Sequence, residues 1–307
     1  MFKYIGILFA FLLLGCSASN KGYYLDNRYP SKNSSQRIQY VIIHYTVSDD
    51  ARSIATLTQG KVSSHFLIPS VPETKNGQPV VLQLVPESLK AWHAGESYWL
   101  QHNGLNDISI GIEIVNAGVQ KDVKGKQQWA PYNEAQIVAL IPLIQDIMQR
   151  YSIPPENIIG HSDIAPLRKQ DPGKAFPWQR LAQHGIGAWP DPKTVTKFLA
   201  GRNANEPASV LRIQKALNFY GYSTIPLSGK LDPQTKKTLR AFQLHFRPRD
   251  IEGQADAETE AIALALIEKY RDMQKFKLFE KYRDMQKFKL FEKTLKLPTI
   301  STNQQGD

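Results

Sequence analysis

The spacing of apolar residues predicts an α/β domain over residues 35–190. The run from Ile38 to Tyr45 is β-branched and aromatic, which is typical of a buried strand. Three more stretches of this kind are expected to be strands, at residues 63–68, 80–85 and 108–115. From Asn133 to Tyr151 the apolar residues recur at helical spacing, and Asn133 is a suitable N-cap. Together these elements predict a mixed central sheet with flanking helices, although the order of the strands stays open.

A second pattern predicts a small three-helix domain over residues 207–270. An apolar stripe at helical spacing runs through residues 210–220. Asp232 precedes a proline, which is a signal for the start of a second helix, and Asp256 is the predicted N-cap of a third. The Pro, Ala and Asn residues of the stretch 191–206 predict a linker between the two domains.

Residues 1–16 have the pattern of a secretory signal segment. One lysine precedes about ten apolar residues, fewer than the ~20 that a membrane-spanning helix needs. The segment ends in Leu-Gly-Cys-Ser, which resembles a bacterial lipobox, and Cys16 is the single cysteine of the chain. We therefore expect lipid on Cys16, a membrane anchor, and a tether over residues 17–34. Ser17 stands where an aspartate would favour the inner membrane, which predicts an outer-membrane lipoprotein that faces the periplasm.

The positive charge of the chain lies mostly near its end. The formal net charge is +10, and residues 269–296 contain ten basic and four acidic residues. The predicted domains therefore have no basic stripe suited to many phosphates, and no nucleic-acid partner is expected.

The basic tail, residues 271–307, contains most of a perfect repeat, in which residues 269–280 recur as 281–292. Twelve residues span about 3.3 helical turns, so each copy rotates the apolar stripe by about 120°. This rotation favours a duplicated helix end. The alternative is a basic membrane or cell-wall tether.

Histidine and aspartate are the candidate metal ligands, since the one cysteine is assigned to lipid. The chain has no His-Glu-x-x-His helix and no Gly-x-Ser-x-Gly elbow, which argues against zinc-protease and serine-hydrolase plans. His44 lies near the end of a predicted strand, while His161, Lys169 and Asp171 share one turn-rich loop. Glu113 alternates with isoleucines along its strand and is expected to point out of their core. Each of these residues alone would also suit an ordinary packing or surface position.

Five motifs carry a family resemblance. They are Tyr-Val-Ile-Ile-His-Tyr-Thr at 40–46, Ser-Ser-His-Phe-Leu-Ile at 63–68, Ala-Trp-His-Ala-Gly at 91–95, Leu-Asn-Asp-Ile-Ser-Ile-Gly-Ile-Glu at 105–113, and the loop 161–173. With these motifs the chain resembles the type 2 N-acetylmuramoyl-L-alanine amidases, and the resemblance extends over residues 37–180. The predicted helical domain resembles a peptidoglycan-binding module.

This resemblance implies an enzyme with one catalytic Zn2+ per chain. It makes His44, His161 and Asp171 the zinc ligands, which leaves one coordination position open for water. Glu113 would be the base that deprotonates the water, and Lys169 would donate a hydrogen bond to the oxyanion of the tetrahedral intermediate.

The resemblance also implies a substrate groove. His65, Trp92, His93 and Asn106 match positions that line or support it. The implied reaction is hydrolysis of the amide between N-acetylmuramic acid and L-alanine in peptidoglycan or its fragments, by a monomer. Two alternatives stay open, a non-catalytic peptidoglycan receptor on the same fold and a structural zinc site, which would need four protein ligands.

Overall fold

The computed structural model describes residues 22–121, 125 and 127–281. The predicted signal segment with Cys16 lies outside the described residues, as does the second repeat copy beyond its first residue. The described residues before Gln36 contain no helix or strand and belong to a separate unit. The chain from Gln36 onward forms the other unit. In the part of the chain that is described, no helix combines the length and the hydrophobicity that a membrane span requires.

Eleven strands and nine α-helices form within the described residues. The strands are β1 (Tyr40–Tyr45), β2 (Phe66–Ile68), β3 (Thr74–Lys75), β4 (Gln78–Pro79), β5 (Leu82–Gln83), β6 (Tyr98–Trp99), β7 (His102–Asn103), β8 (Ser109–Ile114), β9 (Val119–Lys121), β10 (Gln127–Trp129) and β11 (Ile158–Gly160). The helices are α1 (Asp50–Gln59), α2 (Glu134–Tyr151), α3 (His161–Ile164), α4 (Trp178–Gln183), α5 (Pro192–Leu199), α6 (Val210–Tyr220), α7 (Pro233–Phe246), α8 (Ala257–Tyr270) and α9 (Met273–Lys281). Two short 3-10 helices lie at Leu105–Asp107 and Pro155–Asn157.

The central sheet has the strand order β11-β1-β8-β2-β5. The first four strands are parallel and β5 is antiparallel to β2, which confirms the predicted mixed sheet. The strand predicted at 80–85 is shorter than expected and covers only Leu82–Gln83. The reason is that Val80 donates its N–H to the carbonyl oxygen of Glu73 at 2.7 Å and so leaves the ladder.

The parallel strands bring three candidate residues to one edge of the sheet. His44 is paired in register with Glu113, near the carboxyl ends of β1 and β8. β11 lies on the other side of β1 and ends at Gly160, which is directly followed by His161. The carboxyl ends of parallel strands are the usual location of ligand sites in open α/β sheets. The fold therefore places His44, Glu113 and His161 at such a location.

Helix α2 covers one face of the sheet. Asn133 caps it as predicted, through a capping box in which the Asn133 side chain accepts from Ala135 N and Gln136 reaches back to Asn133 N. The apolar side of the helix, including Leu140 and Ile144, packs into one cluster with the sheet residues Val41, Ile43, Ile110 and Ile112. The packing of α2 against the sheet therefore helps to hold the strands, and with them their carboxyl ends, in place.

The helical domain packs on the other face and shares a hydrophobic core with the sheet. Tyr40 and Ile42 of β1 belong to the same buried cluster as Leu217 and Phe242 of the helical domain. The three predicted helices correspond to α6, α7 and α8, and the side chains of Asp232 and Asp256 cap α7 and α8 as expected.

The segments on both sides of the helical domain also contain helices. Helix α5 lies in the stretch 191–206, which was expected to be a linker. Pro192 lies in the first turn of α5, where proline favours the start of a helix, whereas the sequence interpretation assigned this proline to a loop. Helix α9 lies within the predicted tail 271–307. Its Phe276 is fully buried and contacts Phe219, so burial of this side chain holds the first repeat copy against the fold.

A buried carboxylate links the two halves of this unit. Asp163, in α3, accepts hydrogen bonds from Gly160 N (2.7 Å), Tyr222 Oη (2.6 Å) and His245 Nδ1 (2.7 Å). Tyr222 and His245 belong to the helical domain, and all three side chains are at most 2% exposed. Since Asp163 lies in the same short helix as His161, these bonds tie the helical domain to the segment that carries a candidate ligand.

We expect Tyr222→Phe to lower the free energy of unfolding by about 1.5–3 kcal/mol, because a buried charged acceptor loses a donor. Denaturant unfolding measures this change. Tyr98→Phe is the matched control, since Tyr98 donates to the exposed Glu96 at 3.1 Å and should change stability by less than about 0.5 kcal/mol. Equal effects of the two substitutions would contradict a role for Asp163 as the link.

Candidate active site

Three polar atoms converge at the edge of the sheet. His44 Nδ1 lies 2.9 Å from His161 Nδ1 and 3.2 Å from Asp171 Oδ2, and the last two atoms are 2.9 Å apart. All three residues are buried. Two imidazole nitrogens at 2.9 Å need a proton or a cation between them, since two lone pairs at that distance repel.

The donor set fits a divalent metal ion. Two imidazole nitrogens and one carboxylate oxygen are a common set of three protein ligands, and such sets leave a coordination position open. Among the described residues this is the one group of three His, Cys, Asp or Glu that could hold a metal. The structural-zinc alternative, which requires a fourth protein ligand, has no such ligand in the described part of the chain.

The loop that carries Asp171 is held back against His161. The N–H of Ser162 donates to the carbonyl oxygen of Asp171 at 2.8 Å, which closes the loop. Gly173 follows with φ +78°, and a Cβ there would clash with the Trp129 ring, so only glycine fits. Local backbone geometry therefore places Asp171 close to His44 and His161.

The protonation states of the cluster suit metal binding. The pKa of His44 is lowered to about 4, mainly by burial and also by the nearby His161, against the opposing effect of Asp171. Burial alone would raise the pKa of Asp171, but the charges and hydrogen bonds of His161 and His44 outweigh burial and hold that pKa below its ordinary value. A neutral His44 and an ionised Asp171 are the forms that bind metals.

Glu113 lies beside this group with one oxygen unsatisfied. The side chain is half-buried, and its Oε2 has no hydrogen-bond partner within the described structure. The pKa of Glu113 is raised to about 8, mainly by burial and also by the charge of Asp171, while Lys169 opposes the increase. A carboxyl group that titrates near neutral pH is suited to accept and return a proton.

A cavity of about 220 Å³ opens over the site. Glu113, His161, Lys169 and Asp171 line it, so both predicted catalytic residues and two of the predicted ligands share one cavity. His44 is not among the lining residues but contacts His161 and Asp171. Trp92 also lines the cavity and is 58% exposed, which excludes the ordinary role of a core tryptophan. Lys90 lies with its Nζ 4.3 Å from the centre of the Trp92 ring.

The other predicted substrate-groove residues lie deeper. His93 contributes to the cavity wall but is 8% exposed and contacts His44. His65 is fully buried, accepts from Gly111 N and donates to Leu89 O. Neither His65 nor Asn106 is among the side chains that line the cavity.

Asn106 supports the cavity wall from behind. Its Oδ1 accepts from the N–H groups of His93 (3.0 Å) and Ala94 (2.8 Å). These bonds hold the segment that carries Trp92 and His93, so the structure gives Asn106 a supporting position. The motif match left open whether Asn106 lines or supports the groove, because it does not reveal the direction of a side chain.

Two functional neighbours were missed by the sequence interpretation. The carbonyl oxygen of Ala94 lies 3.0 Å from His161 Nε2 and also accepts from Arg168. Ser109 lies 3.3 Å from His93 Nε2. A main-chain carbonyl leaves no sequence signal, and a buried serine in a strand has none that distinguishes it from packing.

Two family models match the chain. A model described as N-acetylmuramoyl-L-alanine amidase matches residues 34–174, and one described as a putative peptidoglycan binding domain matches residues 206–262.

Curated and solved proteins match over most of the chain. The N-acetylmuramoyl-L-alanine amidase AmiD of Escherichia coli is 50% identical over 267 residues, which make up 85% of this chain and 95% of AmiD. The structure of AmiD with anhydro-N-acetylmuramic acid-L-Ala-D-γ-Glu-L-Lys has a TM-score of 0.78 and covers 82% of this chain and 97% of that one. AmpDH3 of Pseudomonas aeruginosa with anhydromuramic pentapeptide is 39% identical, with a TM-score of 0.69 and coverage of 84% and 100%. The chain therefore belongs to the N-acetylmuramoyl-L-alanine amidase family.

Proposed function

We propose that this chain is a zinc-dependent enzyme that hydrolyses the amide between N-acetylmuramic acid and L-alanine in peptidoglycan or its fragments. The observation that carries the proposal is the convergence of His44 Nδ1, His161 Nδ1 and Asp171 Oδ2, with His161, Asp171 and Glu113 lining one cavity. The muramyl peptides bound by AmiD and AmpDH3 support the choice of substrate.

The two histidines and Asp171 would hold the Zn2+. When bound, zinc supplies a Lewis acid that polarises the scissile carbonyl and makes water more acidic. The described donor set contains no sulfur, and the hard carboxylate with two imidazoles is a set that zinc commonly takes.

Glu113 carries the proton transfers. Its unpartnered Oε2 accepts a proton from the attacking water, and the resulting neutral acid returns that proton to the leaving amine of L-alanine. Lys169 lines the same cavity and donates a hydrogen bond to the oxyanion of the tetrahedral intermediate. A single donor of this kind contributes about 2.7–4 kcal/mol to transition-state stabilisation.

The exposed Trp92 and the helical domain would hold the substrate. Trp92 offers an exposed aromatic face at the cavity, which suits stacking on a sugar ring. The match of residues 206–262 to a peptidoglycan binding domain supports a second contact with the cell wall. A non-catalytic receptor is the less favoured function, because His44, His161 and Asp171 fill all three ligand positions and Glu113 lines the same cavity as His161 and Asp171.

We further propose that the enzyme is a monomeric outer-membrane lipoprotein anchored through Cys16. The support is the lipobox-like Leu-Gly-Cys-Ser sequence and Ser17 after the cysteine. An anchor at this end, followed by a tether, would leave the catalytic cavity free to reach peptidoglycan in the periplasm.

Removal of the metal should abolish hydrolysis. We expect the full chain with Zn2+ to convert a muramyl peptide into a lactyl acid on the sugar and a peptide with a free L-alanine amine, identified by mass spectrometry. Chelator or His161→Ala should remove this activity, because two ligands do not hold the metal. His102→Ala, on β7 and away from the cavity, is the matched control. Full activity in chelator would refute zinc dependence.

Glu113→Gln should lower kcat by roughly 10²–10⁴-fold, the usual contribution of a positioned base. Glu73→Gln, at an exposed position, should leave kcat unchanged. A kcat within threefold of the wild type for Glu113→Gln would contradict the assigned role.

The same variant should change the pH dependence of stability in the metal-free chain. The folded-state pKa of Glu113 is raised to about 8, so the folded protein holds a proton that the unfolded chain releases above its ordinary pKa of about 4.3. Stability from this group therefore falls as the pH rises from about 4.3 to 8, and Glu113→Gln should remove that fall. Parallel unfolding curves of the two proteins over this pH range would contradict the assignment.

Cys16→Ser should release the protein from the membrane fraction into the periplasm and prevent labelling with a palmitate analogue, because the thiol for lipid is lost. Ser17→Asp is the paired variant, which should keep the lipid but shift the protein towards the inner membrane. Membrane-bound Cys16→Ser protein would contradict the proposed anchor.

A further inference from the structure

A chain of hydrogen bonds leads from His44 into the core behind the metal site. His44 Nε2 lies 3.0 Å from His93 Nδ1, and His93 Nε2 lies 3.3 Å from Ser109 Oγ. The Ser109 hydroxyl lies 2.7 Å from the main-chain carbonyl oxygen of Leu105. The three side chains are at most 8% exposed, so bulk water does not compete for these groups.

The donor and acceptor roles in this series of hydrogen bonds are set at its Leu105 end. A carbonyl oxygen only accepts, so the single hydroxyl proton of Ser109 points to Leu105. The Ser109 oxygen is then the acceptor for His93, which must carry its proton on Nε2. His93 Nδ1 is consequently an acceptor, and it takes the Nε2 proton of His44.

We propose that His93 and Ser109 are positioning residues that fix the ring tautomer of His44 and leave its Nδ1 lone pair directed at the metal. The inference rests on the proposed function in one respect, namely that a metal is the ligand of Nδ1. A histidine ligand generally needs such a partner at its second nitrogen to hold the ring and its tautomer.

The reverse arrangement would place a proton on the ligand atom. His44 Nδ1 lies 3.2 Å from Asp171 Oδ2 and could donate to it if Nε2 accepted from His93. That arrangement requires Ser109 to donate to His93. It would leave the oxygens of Ser109 and Leu105 2.7 Å apart with no proton between them, which is repulsive.

The two candidate histidine ligands keep a proton on Nε2 by different means. His161 Nε2 faces the carbonyl oxygen of Ala94 at 3.0 Å, so the main chain itself fixes its proton. For His44 the position of the ring proton depends on the side chains of His93 and Ser109. Substitution of either side chain can therefore change that position while every metal ligand is kept.

Gly111 leaves room for the His93 ring because glycine has no Cβ. A Cβ at position 111 would lie 2.5 Å from His93 Cγ, at the rigid base of the ring. Gly111→Ala would thus displace His93 without removing any hydrogen-bonding group. It is a second way to interrupt the hydrogen bonds between His44, His93 and Ser109.

The tautomer can be read directly by NMR on the metal-free full chain labelled with 15N-histidine. Long-range 1H–15N correlations should show His44 as Nε2–H in the wild type, assigned by the loss of its signals in His44→Asn. In Ser109→Ala, His44 should move to Nδ1–H, which donates to Asp171. Zn2+ affinity measured by chelator competition should fall by about 10–100-fold in the same variant.

Two further variants test the role of the hydroxyl. Ser109→Thr keeps it and should retain both the tautomer and the Zn2+ affinity of the wild type. Ser64→Ala removes a fully buried hydroxyl that has no hydrogen-bond partner among the described residues, and it should change neither readout. If the threonine methyl disturbs packing, Gly111→Ala should still reproduce the tautomer change of Ser109→Ala.

The proposal is overturned if His44 stays Nε2–H and Zn2+ affinity stays within twofold of the wild type in both Ser109→Ala and Gly111→Ala. Failure of the proposed function looks different. A wild type that binds Zn2+ without cleaving a muramyl peptide would refute the amidase assignment, while the tautomer, recorded without metal, would still decide the role of His93 and Ser109.

Discussion

The convergence of three ligand atoms at one edge of a parallel sheet is the constraint on which the site depends. β1 pairs with β8 on one side and β11 on the other, so His44, Glu113 and His161 meet although they are distant in sequence. The bond from Ser162 N to Asp171 O adds the third ligand. Because all of this is main-chain geometry, the site is held by the fold before any metal binds.

Burial then determines the charges at that edge. Dry surroundings disfavour ionised groups, which keeps His44 neutral and raises the pKa of Glu113 to about 8. Asp171 stays ionised only because the histidines compensate its burial. The helical domain contributes to the same region through Asp163, whose bonds to Tyr222 and His245 close the core beneath α3. The helical domain and the candidate site are therefore parts of one packed unit.

Local patterns predict the elements well, and the family motifs predict which residues meet. Asn133, Asp232 and Asp256 act as the caps that their side chains favour. Helix α5 escaped prediction because its proline was taken for loop chemistry. The hydrogen bonds between buried side chains could not be predicted, for another reason. The contact of His93 with Ser109 depends on the direction of two side chains in three dimensions, for which the sequence spacing contains no signal.

The central claim is that two histidines and one carboxylate form an open zinc site. Zinc K-edge X-ray absorption of the Zn2+-loaded full chain tests it most directly, because the technique counts imidazole ligands and detects sulfur. The account predicts two imidazole nitrogens at about 2.0–2.1 Å, with oxygen in the remaining positions and no sulfur. Three or more imidazoles would contradict it, since His93 would then be a ligand and not the partner that orients His44.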